Sequence, residues 1–250
     1  MSDQRIDPAA SAFGSAAADY EAARPSYPAE AIDVLRTRAG LGPDRKVCDL
    51  AAGTGKLTRL LAATGAGIIA IEPVPGMRAE LVAAIPDVDA RDGVAEDIPL
   101  PDGSVELVTV AQAFHWFRAD EATAEIHRVL APGGSVAILF NERDDRAPYV
   151  KSWNDVIEWH KRRIAHYQET DWPAVLSAGG FRDTAYDRVE WSQPMTRELI
   201  ASRVRSVSYI AELDEEGQQE YVDRVLALVV GFDEPFDLPY ITHVWTAKRD

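Results

Sequence analysis

In CDLAAGTGKLTRLLA, residues 48–62, a short apolar run ends at Asp49 and Leu50 and gives way to Gly53-Thr54-Gly55. Leu57, Leu60 and Leu61 then recur at the spacing of one helix face. A strand, a glycine turn and a helix are predicted in that order. Such a turn lets backbone N–H groups and a helix N-terminus approach a ligand closely. A Walker A loop is excluded, because Leu57 follows Lys56 and Leu50 stands where its first glycine belongs. The dinucleotide fingerprint fails at its third glycine, which is Thr58. S-adenosylmethionine, which has no phosphate to cradle, needs only a turn that brings backbone against a ribose and an amino-acid tail. Glu72 supports that reading: it ends the next apolar run, GIIAIEP (67–73), where a carboxylate can accept both ribose hydroxyls.

The same rhythm extends outward from this unit. KVCDLA (46–51), GIIAIEP, a weak VDARDG, VELVTVA (105–111) and SVAILFN (135–141) are predicted strands. GMRAELVAAI (76–85) and ADEATAEIHRVL (119–130) are predicted helices, the second stopped by Pro132-Gly133-Gly134. Buried, non-alternating strands joined by helices imply an α/β fold with a doubly wound, seven-stranded, mostly parallel sheet. After Asn141 the pattern changes. A helix is expected from about Tyr149 to Tyr167, a strand at DTAYDRVEW (183–191), a helical insertion over roughly 196–230, and a closing strand in LPYITHVWTAKR. One domain spanning 1–250 is expected: N-terminal cap helices at 1–40, a cofactor-binding core at 45–145, a helical cap with the sixth strand at 146–238, and the last strand at 239–250.

The chain has 250 residues, with 41 Asp and Glu against 26 Lys and Arg, a net charge of −15. That balance argues against nucleic acid and anionic membranes as partners, since both reward positive patches. The single cysteine, Cys48, lies inside the first strand and behaves as a small hydrophobe rather than a nucleophile. No apolar run reaches the ~18 residues that span a bilayer, and no secretory leader is evident. A cytoplasmic protein, monomer or homodimer, is the expectation.

Four ordered stretches, VCDLAAGTGKLT, IAIEPVPGM, DGVAEDIPLPDGSVELVTVAQAFHWF and EIHRVLAPGGSVAILFNERD, resemble a class I S-adenosylmethionine-dependent methyltransferase, in particular its small-molecule branch with HWF after the fourth strand. FGSAAADYEAARPSYP (13–28) resembles the cap helix of that branch. The resemblance implies that Asp49, Ala51, Gly53 and Gly55 surround the methionine end of S-adenosyl-L-methionine, that Glu72 takes the ribose, and that Pro73 and Met77 pack on the adenine. It further implies that Ala95 and Glu96 read the adenine edge, that Ala111 and Gln112 hold the methionine portion, and that Tyr20 and Arg24 close over it.

A sulfonium methyl is already activated, so its transfer needs alignment, exclusion of water and, for some acceptors, a base. His115, directly after the fourth strand, is the best-placed base; Asn141 and Arg143 follow the fifth strand and suit an acceptor carboxylate or carbonyl. His127 belongs to a helix behind the sheet and is structural. An antiparallel last strand brings His243 to the same edge, so that His115, His243 and a cap histidine, His160 or His166, would suit zinc or ferrous iron. The expected activity is methyl transfer to a small-molecule acceptor carrying a carboxylate. Two alternatives stand beside it: metal-assisted C-methylation of a 2-oxo acid, and a non-catalytic cofactor-binding module. Trp153, Trp159, Trp191, Arg203, Arg205 and Tyr209 bring aromatic and charged groups to the insert, the arginines being the specificity elements for an acid.

Overall fold

The computed structural model describes residues 24–158 and 170–250. Its elements are α1 (Ala29–Ala39), β1 (Lys46–Leu50), α2 (Lys56–Ala62), β2 (Gly67–Ile71), α3 (Pro75–Ala84), β3 (Asp89–Arg91), β4 (Val105–Ala111), α4 (Ala119–Val129) and β5 (Leu130–Arg143). They continue with α5 (Pro148–Val156), α6 (Trp172–Ala178), β6 (Phe181–Met195), α7 (Arg197–Arg205), α8 (Ser208–Ala211), α9 (Glu215–Leu226) and β7 (Phe236–Arg249). The seven strands form one sheet in the order β3-β2-β1-β4-β5-β7-β6, parallel except for β7, which runs against both neighbours. The order reverses beside β1, and ligands of open α/β sheets bind at such a switch point, outside the carboxyl ends of the strands.

Both sheet faces are covered, which is why the central strands are apolar without alternation. Cys48, Leu50, Val108, Val110, Val136, Ile138 and Phe140 pack with α4 and α6 on one face. Val47, Leu107, Ala137, Leu139 and Val244 pack with α1 and α2 on the other. A third cluster, including Trp153, Met195, Ile200, Val204, Leu238 and Tyr240, joins α5, α7 and α9 to the start of β7. Removing a large aliphatic side chain from any of these clusters would cost ~2–5 kcal/mol.

The register aligns the functional edge. Leu50 pairs with Ile71 and Val110, Ala111 with Leu139, and Asn141 with Thr242. The beginning of β7 therefore lies beside the end of β5, as an antiparallel last strand requires. Three strands differ from the sequence expectation: β5 runs Leu130–Arg143 rather than 135–141, so Pro132-Gly133-Gly134 lies within its span and the helix before it ends at Val129. β7 starts at Phe236 rather than 239, and β6 runs for 15 residues beyond both ends of DTAYDRVEW. The two strands support each other's backbone from Phe181↔Arg249 to Met195↔Phe236, so polar and proline residues that weaken a local strand signal are carried by pairing. The helix expected from Tyr149 to Tyr167 is described over Pro148–Val156; Trp159, His160 and His166 lie outside the described residues.

Candidate active site

The turn after β1 is held from three sides. Gly53 and Gly55 adopt left-handed backbone, φ 58° and 86°. A Cβ on Gly55 would stand 3.1 Å from Leu81 Cγ of α3, whereas one on Gly53 would point into open space. Asp49 is buried, and its two carboxylate oxygens accept from Thr58 Oγ1 at 2.6 Å and Thr109 Oγ1 at 2.7 Å. It thus ties the end of β1 to the first turns of α2 and to β4. Burial pushes the Asp49 carboxyl up to about 6, with the two threonine hydroxyls pulling the other way. Thr58, the residue that breaks the dinucleotide fingerprint, is here the clamp on Asp49.

Glu72 is 4% exposed. One of its carboxylate oxygens accepts from Gly53 N and the other from Val74 N, each at 2.8 Å. Arg78 donates to its backbone carbonyl. Burial raises its carboxyl above the usual range, against the pull of the two backbone donors. Each oxygen retains a further lone pair, so the carboxylate joins the lips of the turn and still has acceptor capacity for ribose hydroxyls. Met77 and Ala95 are buried and Pro73 partly so. Glu96 accepts from the Arg118 backbone N–H at 2.8 Å, so its carboxylate also fastens the start of α4.

Ala51 and Gln112, at the ends of β1 and β4, are both non-glycine residues with positive φ, 55° and 58°. Backbone in that region costs of order 1 kcal/mol or more and clusters at ligand sites. Gln112 Nε2 donates to the Asn141 carbonyl at 3.0 Å. The Asn141 amide is committed inside the chain. Its Nδ2 donates to the Ser26 carbonyl at 2.8 Å, and its Oδ1 accepts from Thr242 Oγ1 at 2.5 Å. It pins the segment before α1 across the sheet edge instead of presenting an open amide to an acceptor. Arg143 is likewise enclosed: Nε donates to Asn154 Oδ1 at 2.8 Å and the guanidinium lies 5.4 Å from the Trp153 ring centroid. Arg24 donates to the Ser206 carbonyl at 3.2 Å. Tyr20 lies outside the described residues.

The histidines part company. His115 sits in a 3-10 turn, Phe114–Trp116, with its ring 4.7 Å from Trp116 and 5.8 Å from Phe140 between centroids. Its Nδ1 is buried with no hydrogen-bond partner, and burial pushes the imidazole down to about 4, so it is neutral at pH 7. His243 pairs across the ladder with Phe140 but stacks on Tyr186 and Trp245. Its Nδ1 is 2.8 Å from the Tyr186 hydroxyl and its Nε2 3.5 Å from Glu142 Oε2. The expected metal pocket of His115, His243 and a cap histidine finds no support: both nitrogens of His243 face groups of its own sheet, and His160 and His166 lie outside the described residues. Among the described residues, no three His, Cys, Asp or Glu side chains are placed to hold a metal ion. His127 packs on Phe181 and faces Asp250 at 3.4 Å, a structural place.

Thr58, Thr109, Ser26 and Thr242 are the site residues that sequence reasoning missed. Thr58 alone had a visible signal, a hydroxyl where a glycine was sought. The expected aromatic groups of the insert divide as well: Trp153 is core, and Trp191 donates to Thr242 Oγ1 at 2.9 Å while stacking on Tyr240.

A glycine turn, a buried acid at the end of β2 and strained backbone at two strand ends define an S-adenosylmethionine-type methyltransferase site on a Rossmann-like sheet. A methyltransferase-domain family model matches residues 48–138. The uncharacterized methyltransferase Rv3342 of Mycobacterium tuberculosis is 37% identical over 235 residues, covering 92% of each chain. The chain belongs to this family of methyltransferases, and it is an enzyme of that class. Among solved structures, Haemonchus contortus phosphoethanolamine N-methyltransferase 2, in complex with phosphomonomethylethanolamine and S-adenosylhomocysteine, matches with TM-score 0.58 and 14% identity. The match covers 94% of this chain and 57% of that one. The [4+2]-cyclase SpnF shares the fold at TM-score 0.55 and 19% identity, covering 91% and 83% of the two chains. The fold by itself therefore admits other chemistry, and the relationship in sequence is what makes this chain a methyltransferase. No described helix is long and apolar enough to cross a membrane.

Proposed function

We propose that the enzyme methylates a small organic acid held between the carboxyl edge of the sheet and the helices that follow β5. The observation that carries the proposal is His115: a neutral imidazole at that edge, three residues past Gln112, with a buried Nδ1 that has no hydrogen-bond partner among the described residues. A buried polar atom without a partner costs ~1–3 kcal/mol, and a hydroxyl or amine of an acceptor would complete it. Bound S-adenosylmethionine supplies a methyl group activated for in-line displacement. Glu72 takes the ribose, Pro73 and Met77 flank the adenine, Ala95 through its backbone and Glu96 through its carboxylate meet the adenine edge, and Ala111 and Gln112 hold the methionine portion. The open space beside Gly53 fits that cofactor, because a side chain there would fill the approach. Asn141, by tying Ser26 to the sheet edge, helps to keep water from the reacting atoms. His115 accepts the proton that the acceptor sheds.

The test is S-adenosylhomocysteine formation from lactate, citrate, glycine, salicylate and 4-hydroxybenzoate, acids that carry a hydroxyl or amine, each run against its amide. At least one acid should turn over and its amide should not. His115→Ala should lower kcat ~10²–10⁴-fold with cofactor affinity unchanged. Turnover of amides equal to acids would overturn the acid assignment, and an unaffected kcat would remove His115 as base.

A further inference from the structure

Arginines in this acidic chain generally find carboxylates. Arg128 pairs with Glu125 and Asp102, Arg146 with Asp144 and Glu190, Arg91 with Asp89, and Arg197 with Glu234. Arg203 has no such partner among the described residues and, unlike the exposed Arg205, is buried. It lies on the buried face of α7 with Ile200 and Val204 and is 5% exposed. Its guanidinium makes one hydrogen bond, Nη1 to Ser206 Oγ at 3.3 Å, and its Nε is buried without a partner. No Asp or Glu among the described residues pairs with it. A guanidinium cannot shed its proton in a protein, so a charge is held here largely out of water, with its Nε donor sealed and unspent. Burial of that kind is costly unless an anion completes it.

Arg205, two residues on, is exposed and donates to Gln219. The helix turns ~200° between them, which is why one arginine of the pair faces the core and the other solvent. A second cation reaches the same place, because Arg24 Nη2 donates to the Ser206 carbonyl. Arg24 is only two extended residues, at most ~7 Å, from Ser26, whose carbonyl is bonded to Asn141 at the sheet edge. The chain of contacts Arg203, Ser206, Arg24, Ser26, Asn141, Gln112 thus connects the buried guanidinium to the end of β4.

We infer that Arg203, with Arg24 beside it, forms a carboxylate subsite that receives the acid group of the methyl acceptor; the Ser206 hydroxyl, which accepts from Nη1 and donates to the Arg203 carbonyl, holds the guanidinium in place. The inference rests on the proposed methylation of an acid. A planar carboxylate matches the guanidinium fork in two parallel hydrogen bonds. The subsite would bind the end of the acceptor remote from the methyl-accepting atom and set its orientation.

The experiment is calorimetric titration of the full chain, loaded with S-adenosylhomocysteine, with lactate, citrate, glycine, salicylate and 4-hydroxybenzoate and with their amides. For the wild type, at least one acid should bind tenfold or more tightly than its amide. Arg203→Gln should abolish that preference, losing tenfold or more in acid affinity while S-adenosylhomocysteine binding is unchanged, and Arg203→Lys should recover part of it. Without acid, Arg203→Gln should melt at or above the wild type, since an uncompensated charge has been removed. Acid binding and turnover retained in full by Arg203→Gln would overturn the subsite and leave the acid-methylating activity standing. Failure of every acid to bind or turn over in the wild type would overturn both. A large fall in melting temperature for both variants without ligand would show Arg203 to be structural and overturn the subsite alone.

Discussion

Glu72 shows how one side chain serves fold and ligand together. Its two oxygens take the N–H groups of Gly53 and Val74, fixing the lips of the site. Glu72→Ala should therefore weaken cofactor binding at least tenfold, ~1.4 kcal/mol or more, by calorimetry, because the ribose acceptor and the loop anchor are lost together. Unchanged affinity would refute the ribose assignment. Residue-scale reading of the sequence reached Glu72 because an acid ending the second strand is a local, ordered signal. It did not reach the burial of Arg203 against the exposure of Arg205, nor the Tyr186–His243 bond, which joins residues 57 positions apart. Side-chain partners at that separation are set by strand register, and no local pattern encodes them.

Between β1 and α2, the two glycines of the turn answer different needs. At Gly55, φ is 86° and Leu81 crowds the position that a side chain would take. Gly55→Ala should cost ~1–3 kcal/mol of stability, read as a fall in melting temperature. At Gly53, nothing lies within 4 Å of an added Cβ. Gly53→Ala should therefore cost less stability but weaken cofactor binding by tenfold or more, because the methyl would project into the approach. Equal melting losses with unchanged binding would contradict that division. The strand-turn-helix unit was legible because its information is contiguous: an apolar run, two glycines and a leucine stripe. The length of β6 was not, since its backbone is carried by β7 rather than by its own composition.

Over the whole molecule, two buried groups oppose each other in their response to pH. His115 is held down to about 4 from 6.5, so the unfolded chain binds the proton more tightly between those values. Its contribution to stability rises with pH through that window and is lost as pH falls. Asp49 is pushed up to about 6 from 3.8, so the folded chain holds the proton more tightly, and its contribution falls as pH rises from about 4 to 6. Asp49→Asn should therefore melt with a steeper gain in stability between pH 4 and 6 than the wild type, measured by thermal scans across that range. Parallel curves would show that Asp49 keeps an ordinary carboxyl in the folded protein.

Sequence alone determined the doubly wound sheet, the strand-turn-helix unit and the acid that ends β2, since periodicity and glycine placement are short-range features that survive in a linear string; the methyltransferase class came from the resemblance of four ordered stretches to that family. Tertiary structure decided the rest. It committed Asn141 to Ser26 and Thr242, enclosed Arg143 with Asn154 and Trp153, turned the nitrogens of His243 to Tyr186 and Glu142, and buried Arg203 without a counter-ion among the described residues. Each of those outcomes depends on which faces meet when β7 pairs between β5 and β6, a long-range choice made by the free energy of the whole core.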